Sequence, residues 1–245
     1  MTANAPTAPV FQTPAKTTAN AARNVFPRRT GVHIQGRQTI LRSVRTEWIK
    51  LWTLRSTWIT SFIAIALTVL FGAGLTAALG QSERYQDIAK ESITAGLNFG
   101  QIVVAVLGAL IITGEYSSGQ IRSSLAAVPK RGRFLLSKAV VLAVVSFILG
   151  SVSVFLSWAI SKPFLGEHAG SLTDAHYAGY IWGSGLAYAV IALMTLGIGL
   201  LLRSTAGAIT VVVSVLFVVT VPLQLAASKW EWINKVIGCL PSTVS

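Results

Sequence analysis

Gly114-Glu-Tyr-Ser-Ser-Gly-Gln-Ile-Arg122, followed by Lys130-Arg-Gly-Arg133, is a polar and basic interruption between two long apolar runs, at 95–113 and 135–160. A helix needs about 20 apolar residues to cross a hydrocarbon layer, so both flanking runs read as membrane spans and the interruption as the loop joining them. Working outward, further runs lie near 57–80, 179–202 and 206–227. The fold class expected is therefore an all-α, polytopic membrane bundle of five spans. Composition agrees: the 245 residues are 53% hydrophobic and 11% charged, where soluble domains carry about 25% charged residues.

The loop itself has internal order. Gly119 to Val128 has the makings of a short helix of about 15 Å. Pro129 stops it, and the basic turn starts the return to the membrane. Glu115 follows Gly114 at the end of the second span. Upstream, Leu41, Val44, Trp48, Leu51 and Trp52 fall at helical spacing across 38–55, while Arg42, Glu47 and Lys50 lie largely on other faces. This amphipathic helix runs straight into the first span and suits a membrane surface, with tryptophans among the headgroups. Residues 1–36, rich in Ala, Thr, Pro and Asn, have too little apolar content to offset their ordering entropy, and a disordered tail is expected there. A transit peptide is the alternative. Residues 37–245 then form the membrane domain.

Charge places the ends. With a cytoplasmic amino terminus, fifteen basic residues fall inside and five outside (Arg84, Lys90, Lys162, Lys229 and Lys235), whereas only Glu47 and Glu115 of the eight acids are inside. The net charge of +12 would favour nucleic acid in a soluble chain. Here it sits in loops facing anionic lipid, so lipid is the expected partner and nucleic acid is not.

Several chemistries lack their residues. Between its ends no span holds Asp, Glu, Lys or Arg, except Lys138 near the cytoplasmic mouth of the third. A proton-coupled carrier needs a titratable group at the midplane, each costing about 2.5–3.5 kcal/mol to insert. No phosphate-cradling Gly-x-x-x-x-Gly-Lys-Ser/Thr loop is present. His168 and His176 stand alone in an outer loop and Cys239 has no second cysteine, so neither a bound metal nor a disulfide is expected. Enzymatic activity and a cofactor on this chain are not expected either. The mild polar groups Asn98 and Gln101 in the second span are candidates for lining a pathway.

Arg45-Thr-Glu-Trp-Ile-Lys-Leu-Trp-Thr-Leu-Arg-Ser-Thr57 resembles the amphipathic lead-in helix of type-2 ATP-binding-cassette exporter permeases. Gly114-Glu-Tyr-Ser-Ser-Gly-Gln-Ile-Arg-Ser-Ser-Leu125, with Pro129-Lys-Arg-Gly-Arg133 and Lys138, resembles their first inner loop. The resemblance runs from about residue 38 to the end. It implies a subunit of the bacterial plasma membrane that moves cargo out of the cell, paired with a second permease copy or paralogue. ATP would be held by a separate ATPase subunit. By the same resemblance, Glu115, Ile121, Arg122, Leu125, Lys130, Arg131 and Arg133 form the ATPase-coupling loop. Glu115 is expected to pair with Arg45 or Lys50 of the lead-in helix, where Glu47 also lies, or with Arg122. An apolar cavity between two permeases, with Asn98 and Gln101, suits an amphipathic or lipid-like cargo. A non-transporting regulatory or immunity subunit and an ion-coupled carrier are the alternatives. Members of that family usually have six spans, the last after a segment like Leu240-Pro-Ser242; this sequence stops at Ser245, so a truncated, frameshifted or complemented product is expected.

Overall fold

A computed structural model describes residues 39–80, 88, 92–127, 131–165 and 175–219. The tail 1–36, Lys130, the second half of the fifth span, His168 and Cys239 lie outside the described residues. Seven α-helices are seen among those described, and no strand: α1 (Ile40–Thr53), α2 (Arg55–Gly80), α3 (Leu97–Ser117), α4 (Gln120–Ala127), α5 (Arg131–Leu165), α6 (Ala175–Leu202) and α7 (Thr205–Val213). A 3-10 turn, Ser92–Thr94, precedes α3, and a π-helical stretch, Ser214–Val219, continues α7. Lipid offers the backbone no hydrogen-bond partner, so each spanning segment satisfies its own amides as a helix.

Four helices are long and apolar enough to cross a membrane: Arg55–Gly80, Ser92–Ser117, Gly132–Leu165 and Tyr177–Leu202. They match the first four expected spans. The fifth begins as expected, as a shorter apolar helix over Thr205–Val218; the rest of that run lies outside the described residues. In the bundle α2 packs on α3 and α5, α6 packs on the same two helices, and α7 lies against α3 and α6. Large apolar side chains point outward, among them Phe62, Leu70, Trp182 and Leu201. The inward face of α2 is small and hydroxylic instead, and it shares a core with large apolar side chains such as Ile112, Leu142 and Tyr188 from the other spans; apolar area gains little by moving from lipid into protein, so close packing must hold the helices together.

Helix α2 shows the device clearly. Ala64, Thr68, Gly72 and Thr76, four residues apart, are all buried. Buried hydroxyls here donate to their own helix four residues back: Thr68 to Ala64 O at 2.8 Å, Thr76 to Gly72 O at 2.8 Å, Thr113 to Ala109 O at 2.8 Å and Ser153 to Leu149 O at 2.6 Å. That makes them cheap to bury. Others reach across helices. Ser184 Oγ contacts Gly150 O at 3.2 Å, where α5 and α6 meet through Gly150 and Gly185. Thr205 Oγ1 donates to Thr113 Oγ1 at 2.7 Å and ties α7 to α3.

The second span begins deep in the bundle. Ser157 Oγ of α5 donates to Ile93 O at 3.1 Å, and Gly72 of α2 lies against that same carbonyl. The far ends of α2 and α5 meet instead at Gly80 and Phe164. Eight residues separate Gly72 from Gly80, so the 3-10 turn lies about 12 Å inside that end.

Helix α5 is 35 residues long, about 52 Å, against a hydrocarbon core of about 30 Å. It exceeds that layer by about 20 Å, and Lys138 lies two turns from its start.

Candidate functional site

Helix α1 ends at Leu54, whose extended backbone (φ −76°, ψ 119°) breaks the path into α2. Trp58 Nε1 donates to Trp52 O at 2.9 Å across this corner, and Trp48, Trp52 and Trp58 form a stacked and edge-on series. The tryptophans and Leu41 are outward, as a surface-lying helix requires. The face turned to the protein is different from the one the apolar spacing indicates: Ser43, Glu47 and Leu51 are buried. Glu47, which the spacing sets apart from the apolar stripe, is 6% exposed.

The reason is a closed ring of charge. Lys138 Nζ of α5 donates to Glu47 Oε2 at 2.7 Å and to Glu115 Oε1 at 3.0 Å. Lys50 Nζ donates to Glu47 Oε1 and to Glu115 Oε1, both at 3.1 Å. Two acids and two ammonium groups alternate, so the ring is neutral while joining α1, α3 and α5. Lys138 is 3% exposed and both glutamates are 7% exposed in their side chains; Lys50, at 41%, closes the ring on its open side. Burial alone would lower the Lys50 pKa, but its hydrogen bond to Glu47 and the charges of Glu47 and Glu115 outweigh that and hold it above the ordinary 10.5. Glu115 Oε1 accepts from both lysines, whereas its Oε2 is buried with no partner among the described residues.

Of the partners expected for Glu115, Lys50 is the one found. Arg45 is exposed on the other side of α1 and makes no ion pair with Glu115; the Arg122 side chain lies outside the described residues. Lys138 was not anticipated as the fourth member. A lone lysine in an apolar run has to find a carboxylate, and Glu47 and Glu115 are the only acids expected on its side of the membrane, so the signal was present.

The ring stands where α4 leaves α3. Gly119 takes a left-handed backbone (φ +69°), open to glycine without strain, and reverses the chain into α4. The expected helix 119–128 is thus present as Gln120–Ala127. Ile121 is half-buried; the side chains of Leu125 and Arg131 lie outside the described residues, and Arg133 is half-buried at the start of α5. Arg203 sits over the Tyr116 ring at 5.7 Å, which brings the ends of α3 and α6 to the same side of the bundle.

Two clefts flank the ring. One, of about 420 Å³, runs between α1, the start of α2 and α3, lined by Leu51, Leu54, Leu107, Leu110 and Ile111 with Glu115 at its head. The other, of about 290 Å³, lies between α1, α4 and α5 and is lined mainly by hydroxyls, Ser43, Thr46, Ser123, Ser124 and Ser137. Asn98 and Gln101 line neither. Asn98 is exposed and Gln101 buried, their side chains 3.4 Å apart, about 20–25 Å along α3 from Glu115. Among the described residues no three His, Cys, Asp or Glu side chains group as metal ligands would.

Comparison with curated proteins gives no significant match, and comparison with solved structures gives none either. The family model described as ABC-2 family transporter protein matches residues 43–226, which takes in most of α1, the charge ring, α4 and all four long apolar helices. The chain therefore belongs to the ABC-2 transporter family, as a multi-pass membrane permease component of the kind that pairs with an ABC ATPase subunit and carries no ATP-binding site of its own.

Proposed function

We propose that this chain is the permease of an ATP-driven exporter of a bacterial plasma membrane, with its amino terminus in the cytoplasm, working as a dimer with a second permease. Helix α4 is the element that receives the push of the partner ATPase. The observation carrying this reading is the buried ring Glu47–Lys50–Glu115–Lys138. It clamps α1 to α3 and α5 at the point where α4 is hung between them. A short helix on flexible joints would swing when pushed; one whose two neighbours are bolted together passes the displacement to both spans. The inner-side excess of basic residues supports the orientation, and the apolar lining of the cleft beside the ring supports an amphipathic or lipid-like cargo.

The test uses vesicles containing the assembled permease and ATPase. Cargo should move on ATP addition and continue when proton and sodium gradients are collapsed. Ile121→Asp should abolish both ATPase co-purification and flux while leaving helical content unchanged. Gradient-driven flux by the permease without any nucleotide hydrolase would overturn the proposal.

A further inference from the structure

The tryptophans at the corner show which way α1 faces. Trp58 of the first span donates from Nε1 to Trp52 O at 2.9 Å, and the two rings meet edge-on at 4.8 Å. Trp52 therefore points into the angle between α1 and α2, the corner that lipid fills. At about 100° per residue, Arg45 lies about 20° round α1 from Trp52, with Leu41 and Ile49 beside it. Arg42 lies about 80° round, at the rim of the same face. Leu41, Arg42, Arg45, Ile49 and Trp52 are all exposed.

A guanidinium on a lipid-facing surface needs a counter-charge. Among the described residues neither Arg42 nor Arg45 makes an ion pair. Three residues apart, they are neighbours on the helix and repel unless an anion lies between them. Glu47 is turned the other way, into the ring, and Glu115 is held there too. Residues 1–46 contain no acid. Of the rest, Glu83, Asp87 and Glu91 follow the end of α2 remote from the ring, Glu167 and Asp174 lie between α5 and α6, and Glu231 follows the fifth run. The anion for this face has to come from outside the chain.

We propose that Arg42 and Arg45 together hold the phosphate of an anionic phospholipid, whose acyl chains lie in the corner beside Trp52 and Trp58. The guanidinium fork fits phosphate oxygens two at a time, and indole rings belong at headgroup level. Two cations with no acid near them favour a headgroup that carries no cation of its own. Diffuse attraction to anionic lipid engages every basic residue at the surface alike, whereas this site singles out two. Because the ring bolts α1 to α3 and α5, a lipid seated here fixes the depth of that joint in the headgroup layer. The site needs neither an ATPase nor transport, so it does not depend on the exporter reading.

The test reconstitutes the full chain in phosphatidylcholine vesicles containing increasing fractions of brominated phosphatidylglycerol, whose bromines quench nearby tryptophans. Brominated phosphatidylcholine gives the reference. Quenching by the anionic lipid should saturate at the lower fraction. Arg42→Gln and Arg45→Gln should each reduce its relative affinity about fivefold. Both arginines are exposed and unpaired, so both variants should keep the wild-type circular dichroism, and each tests the site without the other. Arg203→Gln removes the same charge from the same side of the bundle and should leave the preference unchanged. Equal quenching by the two brominated lipids in the wild type overturns the proposal, as does a loss in Arg203→Gln as large as in Arg45→Gln. Displacement of the bound lipid by inorganic phosphate also overturns it, because the ligand is then a free anion.

Discussion

Lys50 and Lys138 donate to the same two carboxylates at similar distances, yet their removal should have very different costs. Lys138 is 3% exposed and Lys50 41%. In Lys138→Met the ring passes from neutral to one negative charge, with both glutamates still shielded from water. Breaking a buried pair in this way costs about 3–5 kcal/mol, because a charge is left without compensation. In Lys50→Met water reaches the vacated position, and the loss should be about 0–1 kcal/mol, as for exposed pairs. The gap of about 3 kcal/mol is more than a hundredfold in the unfolding equilibrium, at about 1.4 kcal/mol per factor of ten. It is measurable by titrating the purified protein in mixed micelles with sodium dodecyl sulfate and following tryptophan fluorescence and circular dichroism together. A double variant, Glu47→Leu with Lys138→Met, leaves Glu115 balanced by Lys50 and should recover most of the loss. If Lys50→Met proved as damaging as Lys138→Met, or the double variant no better than the single, burial would not be what gives the ring its strength.

Three further outcomes follow from the packing. The Lys50 contribution has a defined pH window: with its folded pKa above the ordinary 10.5, the stabilisation is fully present below that value and lost as pH rises through the folded pKa. The stability difference between wild type and Lys50→Met should therefore be flat from about pH 6 to about pH 9 and vanish only in stronger base; shrinkage between pH 7 and 9 would contradict it. Tyr188 Oη and Thr68 Oγ1 are 2.7 Å apart in the core, and the Thr68 hydrogen goes to Ala64 O, so tyrosine is the donor. Tyr188→Phe should cost about 0.6 kcal/mol. Thr68→Val, which strands the phenol, should cost about 1–3 kcal/mol; the reverse order in the same micelle titration would refute this donor assignment. Finally, a Cβ on Gly150 would stand 2.5 Å from Ser184 O, a backbone atom, whereas one on Gly197 meets nothing within 4 Å. Gly150→Ala should lose the monodisperse folded species in size-exclusion chromatography. Gly197→Ala should be neutral or stabilise by up to about 1 kcal/mol.

Run length carried most of the architecture. The apolar segments at 57–80, 95–113, 135–160 and 179–202 appear as α2, α3, α5 and α6, because a spanning helix must be long and apolar whatever its neighbours do. The helix in the inner loop was legible for a local reason too: Gly119 and Pro129 bracket it. Less visible were the inward faces. Ala64, Thr68, Gly72 and Thr76 repeat at the spacing of a packing stripe, but periodicity of apolar residues does not reveal it, since in a spanning helix both the lipid face and the packed face are apolar.

The local chain thus dictates the position and length of the long apolar helices, quantities set by each segment's own free energy in lipid. The charge ring was decided elsewhere. Glu47, Glu115 and Lys138 are 23 to 91 residues apart and meet only because α1 folds back across the ends of α3 and α5. On an isolated amphipathic helix Glu47 belongs to the polar, wet face; a buried ammonium from α5 makes that face the one turned inward. Pairing of charges across helices depends on which helices are neighbours, and that is a property of the bundle.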